Sequence, residues 1–331
     1  MIVNICCSGS SGSTFFSNLM NRHPEIVCGD ELGLFSKPVF YDNYEHLKRW
    51  HFLIKRTGIS SYPYFADRSV LRNSQSFSLT KEQVWSWVLE SNNIVEFTNR
   101  FKEHILALTK KRIWAEKTPT NIYLIDKFLQ TFPDAKVIHI VRDPRDVVLS
   151  LMERGASAYK AAERWLTSLS AIRNCRYHSN VLEIKYEDLI LETEKTLKKV
   201  SSYLNIEFNM EFFTTNAHES KNVKKTDGFD TWGSKPTDSF SSKSIGKYKN
   251  RDIDFKDILS MTLTKEFASC LKVEQLSFSE LAEEYGYKLD DLCSTDKSQL
   301  CRSTIRTEQG IILKLVDLVI DKNKYMQRVI Y

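Results

Sequence analysis

Two stretches of the 331-residue chain carry side chains suited to holding oxyanions. The first is SGSSGST, residues 8–14, directly after the apolar run IVNICC. Gly9 and Gly12 flank Ser10 and Ser11. Glycine lets backbone N–H groups converge on an anion with no Cβ in the way. A helix predicted over 13–22 adds its unpaired N–H groups and the positive end of its dipole. Ser13 and Thr14 add hydroxyl donors. A bare strand-to-helix turn explains a lone glycine pair equally well, so the stretch gains meaning only beside a second site. A nucleoside-triphosphatase loop requires G-x-x-x-x-G-K-[ST]. Here the order is G-x-x-G-S-T and no lysine follows, which argues against Mg·ATP chemistry. The dinucleotide pattern G-x-G-x-x-G is also absent. The loop suits a less charged phosphate ester.

The second stretch is VIHIVRDPRDVVLSLMERG, residues 137–155. Arg142 stands at the carboxyl end of a predicted strand, the edge where open parallel sheets bind ligands. Its guanidinium can grip a phosphate bidentately. Ser150, on the helix that follows, can donate a hydroxyl to the same oxygens. Asp143 reads as a helix cap rather than a base. Taken alone, Arg142 is equally a surface arginine paired with Asp143 or Asp146. Taken with the first stretch, it implies a ligand with two separated phosphoryl-like groups.

The elements that must position these residues alternate between strand and helix. IVNICC, RIWAEK, AKVIHIVRD and NVLEIKY read as strands. Apolar runs without alternation indicate strands covered on both faces, the mark of a parallel sheet. Residues 144–154 read as a helix capped by Asp143, with Pro144 in its first turn and Gly155 as its stop. LTKEQVWSWVLE reads as a helix capped by Thr80. Trp85, Trp87, Trp165 and His139 read as core. Residues 57–79 read as loop and 216–250 as a long functional loop. Helical sequence follows at about 257–285. The tail reads as an amphipathic helix able to dock on the domain or on an oligomeric partner.

The bulk composition is that of an ordinary globular protein, with 42% hydrophobic and 27% charged residues. The net charge of +5 is mild and interleaved, so no nucleic-acid stripe stands out. The cluster Lys110, Lys111, Arg112 reads as a solvated helix end. No window is long and apolar enough for a transmembrane helix, and the apolar start runs straight into the glycine loop without signal-peptide features. A cytoplasmic protein is expected. The seven cysteines fit no zinc spacing and read as reduced core residues.

SGSSGSTFF, HPEIVCGDE, EKTPTN, FPDAKVIHIVRDPRDVVLS, IKYEDL and SKSIGKYKN occur in this order. Together they resemble the PAPS-dependent sulfotransferases, most closely the branch with bacterial and tyrosylprotein sulfotransferases, over roughly residues 2–285. PAPS is 3′-phosphoadenosine 5′-phosphosulfate, and PAP is the product left after transfer. The resemblance implies a P-loop-like α/β domain over 1–290, with 291–331 as a helical extension. It implies that Ser10, Ser11, Gly12, Ser13 and Thr14 hold the 5′-phosphosulfate, and Arg142 and Ser150 the 3′-phosphate. Lys243 closes over that phosphate, and Tyr186 contacts the adenine. Glu31 is the implied base, with Asp30 as fallback and His23 a weaker candidate. Lys117 stabilises the departing oxygen. No metal is expected. The acceptor is a small molecule or saccharide, with a glycolipid also favoured on family grounds. Ser10 departs from the family, which carries Arg or Lys there. That departure keeps a non-catalytic nucleotide- or partner-binding protein open as an alternative, beside a P-loop nucleotide kinase.

Overall fold

The computed structural model describes residues 1–45, 48, 70, 73–215, 223, 242–251 and 255–289. Strand β1 (Ile2–Cys7) is buried at every position. It lies at the centre of a five-stranded, wholly parallel sheet with β2 (Ile26–Cys28), β3 (Ile113–Lys117), β4 (Lys136–Val141) and β5 (Val181–Lys185), in the order β2-β3-β1-β4-β5. The chain leaves β1 toward one side, returns through β3, and then crosses to β4. The carboxyl ends of β1 and β4 therefore flank the switch point, where such sheets bind ligands. β5 alternates between buried and half-buried positions, as an edge strand does.

Helices pack on both faces. α1 (Ser13–Arg22) follows β1, and the short α2 spans Pro38–Asp42. α3 (Lys81–Glu90) begins with a capping box between Thr80 and Gln83. α4 (Ile94–Thr109) is capped by Asn93. α5 (Ile125–Thr131) is preceded by a 3₁₀ segment, Pro119–Leu124. α6 (Pro144–Met152) has Asp143 as its N-cap and Gly155 at φ +91° beyond its end. α7 (Ala158–Ile172) buries Trp165. α8 (Tyr186–Leu191) and α9 (Thr193–Leu204) follow β5. The helical stretch expected at 257–285 is three short pieces, α11 (Lys256–Leu259), α12 (Lys265–Leu271) and α13 (Phe278–Glu284), after α10 (Glu211–Thr214).

Three apolar clusters fill the layers. One sits between the sheet and α3, α4 and α5, and one between the sheet and α1, α8 and α9. The third joins α6 and α7 to α13. In the cluster Lys110–Arg112, Lys110 and Arg112 are exposed at the end of α4 as expected, but Lys111 is not. Lys111 is buried, and its ammonium donates to the carbonyls of Asn21, His23 and Ile26 at 2.7–3.0 Å, closing the end of α1. Arg112 pairs with Glu25. The extension 291–331 lies outside the described residues, as do the loop 216–241 apart from residue 223 and most of 46–72. Among the described residues no helix is long and apolar enough to cross a membrane.

Candidate functional site

The turn from β1 into α1 builds the first half of the site. Ser10 stands at φ +68° and Gly12 at φ +89°, left-handed conformations that wrap the backbone around the helix start. A Cβ on Gly12 would meet the Tyr186 ring at 2.3 Å, so only glycine lets the loop lie against that ring. No side chain caps α1. The hydroxyls of Ser8, Ser10 and Ser11 are buried without a hydrogen-bond partner. Buried polar atoms are ordinarily paired. Three unpaired hydroxyls beside a helix N-terminus fit a loop that takes an oxyanion.

Arg142, at the end of β4, builds the second half and touches the first. It is 5% exposed, not the surface arginine its sequence neighbours allowed. Nη1 donates to the Ser10 carbonyl at 2.8 Å, and Nη2 donates to the Ser244 carbonyl. The guanidinium lies over the Tyr186 ring, 4.6 Å from its centre. Its Nε is buried without a partner. Asp143 is occupied elsewhere, accepting from the backbone and side chain of Arg145. Tyr186 bonds Ser244 Oγ at 2.7 Å. That ring therefore joins the loop, the arginine and the segment carrying Lys243, which is itself exposed. Trp165, read as core, is buried and also donates its indole N–H to the Arg142 carbonyl at 3.2 Å.

Glu31 and Lys117 meet at 2.5 Å, and Lys117 Nζ lies 3.4 Å from Thr14 Oγ1. Lys117 is 5% exposed. Burial opposes its charge, but the Glu31 carboxylate outweighs burial and holds the Lys117 ammonium above its ordinary range. The chain of contacts thus runs from Glu31 through Lys117 to Thr14, along the loop to Ser10, and on to Arg142. Ser150 sits half-buried on α6, eight residues beyond Arg142.

Glu116 is the residue sequence reasoning missed. It is 2% exposed and points to the opposite face of β3 from Lys117. Its Oε1 accepts from the backbone N–H groups of Leu32 and Gly33, each at 3.1 Å, and from Thr118 Oγ1 at 2.6 Å. Its Oε2 accepts from Asn121, which also donates to Asn4. Burial, helped by the nearby Glu31 charge, raises its pKa despite these donors. Glu116 therefore fixes the backbone immediately after Glu31. A carboxylate inside an otherwise apolar strand was the available signal. Glu116→Ala leaves the Leu32 N–H unpaired, at a cost of about 1–3 kcal/mol, while the Gly33 N–H keeps Thr118 Oγ1 at 3.0 Å. Glu116→Gln should restore the stability, because Asn121 and Asn4 can turn their amides to match. Urea unfolding tests this; an Ala variant as stable as the wild type removes the anchoring role.

The other candidates have structural work. His23 is fully buried, with Nε2 at 3.0 Å from the Glu207 carbonyl and Nδ1 accepting from the Glu25 N–H, so it holds the exit of α1. His139 is core, with Nδ1 at 3.1 Å from Glu183 and Nε2 unpartnered. Burial pushes the Cys7 thiol up to about 11 and the Cys28 thiol to about 12, so neither offers a thiolate near neutral pH. Among the described residues, no group of His, Cys, Asp and Glu is arranged to hold a metal ion.

A family model described as "Sulfotransferase family" matches residues 3–210. A protein-tyrosine sulfotransferase of Drosophila melanogaster is 21% identical over 210 residues, which cover 60% of this chain and 37% of the fly protein. The chain thus spans little more than a third of that relative's length. Among solved structures, the sulfotransferase domain of the Synechococcus PCC 7002 olefin synthase has a TM-score of 0.60 at 20% identity, over 87% of this chain and 95% of that one. The sulfotransferase domain from the curacin biosynthetic pathway has a TM-score of 0.55 at 19% identity, over 87% and 98%. The two domains share this chain's α/β architecture.

Proposed function

The chain belongs to the sulfotransferase family, and from that premise we propose that it transfers a sulfuryl group from PAPS to an acceptor hydroxyl. One contact carries the reading: Arg142 Nη1 on the Ser10 carbonyl at 2.8 Å joins the two oxyanion stretches at one edge of the sheet. A nucleotide with phosphoryl groups at both ends can then be gripped from both sides. In this reading the loop 10–14 holds the phosphosulfate, while Arg142, Ser150 and Lys243 hold the 3′-phosphate. Tyr186 borders the nucleoside. Glu31 removes the acceptor proton as the acceptor oxygen bonds to sulfur and the bond from sulfur to the bridging phosphate oxygen breaks. Lys117, between Glu31 and Thr14, neutralises the negative charge gathering on that oxygen. Lys117 is thereby the cation at the 5′ end in place of the basic residue missing at position 10.

A thermal-shift comparison of PAP, PAPS, ATP and ADP tests the donor. A ligand at about 100 times its Kd adds about 2.7 kcal/mol of stability. PAP should raise Tm strongly and Mg·ATP should not. No shift with PAP, or an equal shift with Mg·ATP, overturns the reading. Labelled PAPS offered with saccharide, glycolipid and tyrosyl-peptide acceptors then identifies the hydroxyl.

A further inference from the structure

Residues 242–251 cross the edge of the site as a strap, and two of their backbone N–H groups converge on one carboxylate. Asp146 lies in the first turn of α6 and is fully buried. Its Oδ2 accepts from the Gly246 N–H at 2.7 Å and its Oδ1 from the Tyr248 N–H at 3.3 Å. The remaining contacts extend the same landing surface along α6. The Arg145 guanidinium covers the Tyr248 ring at 4.1 Å, and Glu153 lies 3.9 Å from Lys247 and 3.6 Å from Arg251. At its other end the strap gives the Ser244 carbonyl to Arg142 and the Ser244 hydroxyl to Tyr186.

We propose that Asp146 is a positioning residue for the donor nucleotide: it pins the strap by two backbone N–H groups, so that Lys243 and Ser244 hold their places beside Arg142. The inference rests on the donor reading above. Its physical basis is a conflict of signs. Asp146 Oδ2 is 4.0 Å from Arg142 Nη2. A carboxylate at that distance offsets the charge of the guanidinium and repels an incoming phosphate. By its charge alone, Asp146 should weaken anion binding. As an anchor, it should strengthen it, because the strap is ordered before the ligand arrives and its ordering cost is not charged to binding. A carboxylate in a helix first turn also favours the helix dipole, which affects stability and leaves donor affinity alone.

Asp146→Asn separates the three roles. The amide keeps the shape and one acceptor but turns an N–H₂ toward one strap N–H. If Asp146 is the anchor, PAP binding by calorimetry weakens by about threefold to tenfold, the effect of one lost hydrogen bond. Backbone amide exchange at Gly246 and Tyr248 speeds up, while the circular dichroism spectrum stays that of the wild type. Tighter PAP binding, or a change of less than about twofold, overturns the proposal, since charge or helix-dipole effects then suffice. If Asp146→Asn does not fold, Gly246→Val is used. It strains the strap at a φ of +68° and leaves Asp146 in place. Wild-type PAP affinity in that variant overturns the proposal equally. Should the wild type itself not bind PAP, the donor reading fails. The exchange comparison then decides the anchor alone, and equal exchange in wild type and Asp146→Asn refutes it.

Discussion

Arg142→Ala should weaken PAP binding by about 10- to 150-fold, read by calorimetry against the wild type. The magnitude is that of a hydrogen bond to a charged group, about 1.5–3 kcal/mol, at about 1.4 kcal/mol per tenfold. The upper end is favoured here, because Arg142 makes more than one contact. Its Nη1 tethers the Ser10 carbonyl, and that tether supports a serine in a left-handed conformation. Its Nη2 holds the strap at Ser244. Truncation therefore removes the proposed phosphate ligand and also frees the Ser10 and Ser244 carbonyls. Arg142→Lys keeps the charge without the planar fork and should fall between the two. The backbone carbonyl of Arg142 still accepts from Trp165 in either variant, so the junction of β4 with α7 is retained. A PAP affinity in Arg142→Ala within about twofold of wild type would remove Arg142 from the nucleotide site.

The candidate site was legible in sequence where chemistry and local structure share the same few residues. Arg142 follows a buried run and precedes a cap, Asp143, and a first-turn proline. Strand end, helix start and ligand edge are therefore all written within residues 137–144. The glycine loop is similar, since strand, turn and helix follow one another over 2–22. Lys117 and Glu31 were legible as residues but not as a pair. Their contact spans 86 positions and depends on β3 lying beside β1. Glu116 was hidden for the same reason, because its partners Leu32 and Gly33 lie more than 80 residues away. β2 has three residues, too few to show a period. Lys111 was misread because a charged run looks solvated in sequence. Its three carbonyl partners come from the exit of α1 and from β2. Asp146 was offered as a partner for Arg142. At 4.0 Å it is that only loosely, and its shorter bonds go to the strap a hundred residues on.

Glu31→Gln should lower turnover by about 10²–10⁴, the usual worth of a general base, while PAP affinity stays nearly intact. The separation follows from geometry. Glu31 reaches the cradle through Lys117, so the loop donors, Arg142 and Tyr186 keep their places in the variant. A second consequence distinguishes this from general damage. In the wild type, burial opposes the Lys117 charge and the Glu31 carboxylate overrides it, so the folded-state pKa lies above the ordinary 10.5. The stabilisation from that pair is complete below this ordinary value and is lost as pH rises through the folded pKa. With glutamine at position 31 the burial effect is left unopposed by that carboxylate. Lys117 should then lose its proton at lower pH, and residual turnover should fall off earlier on the alkaline side. Glu31→Asp, which keeps the charge on a shorter arm, should recover the alkaline limb more fully than the rate. A Glu31→Gln variant that turns over like the wild type with an unshifted alkaline limb would move the base elsewhere, with Asp30 the next carboxylate to replace.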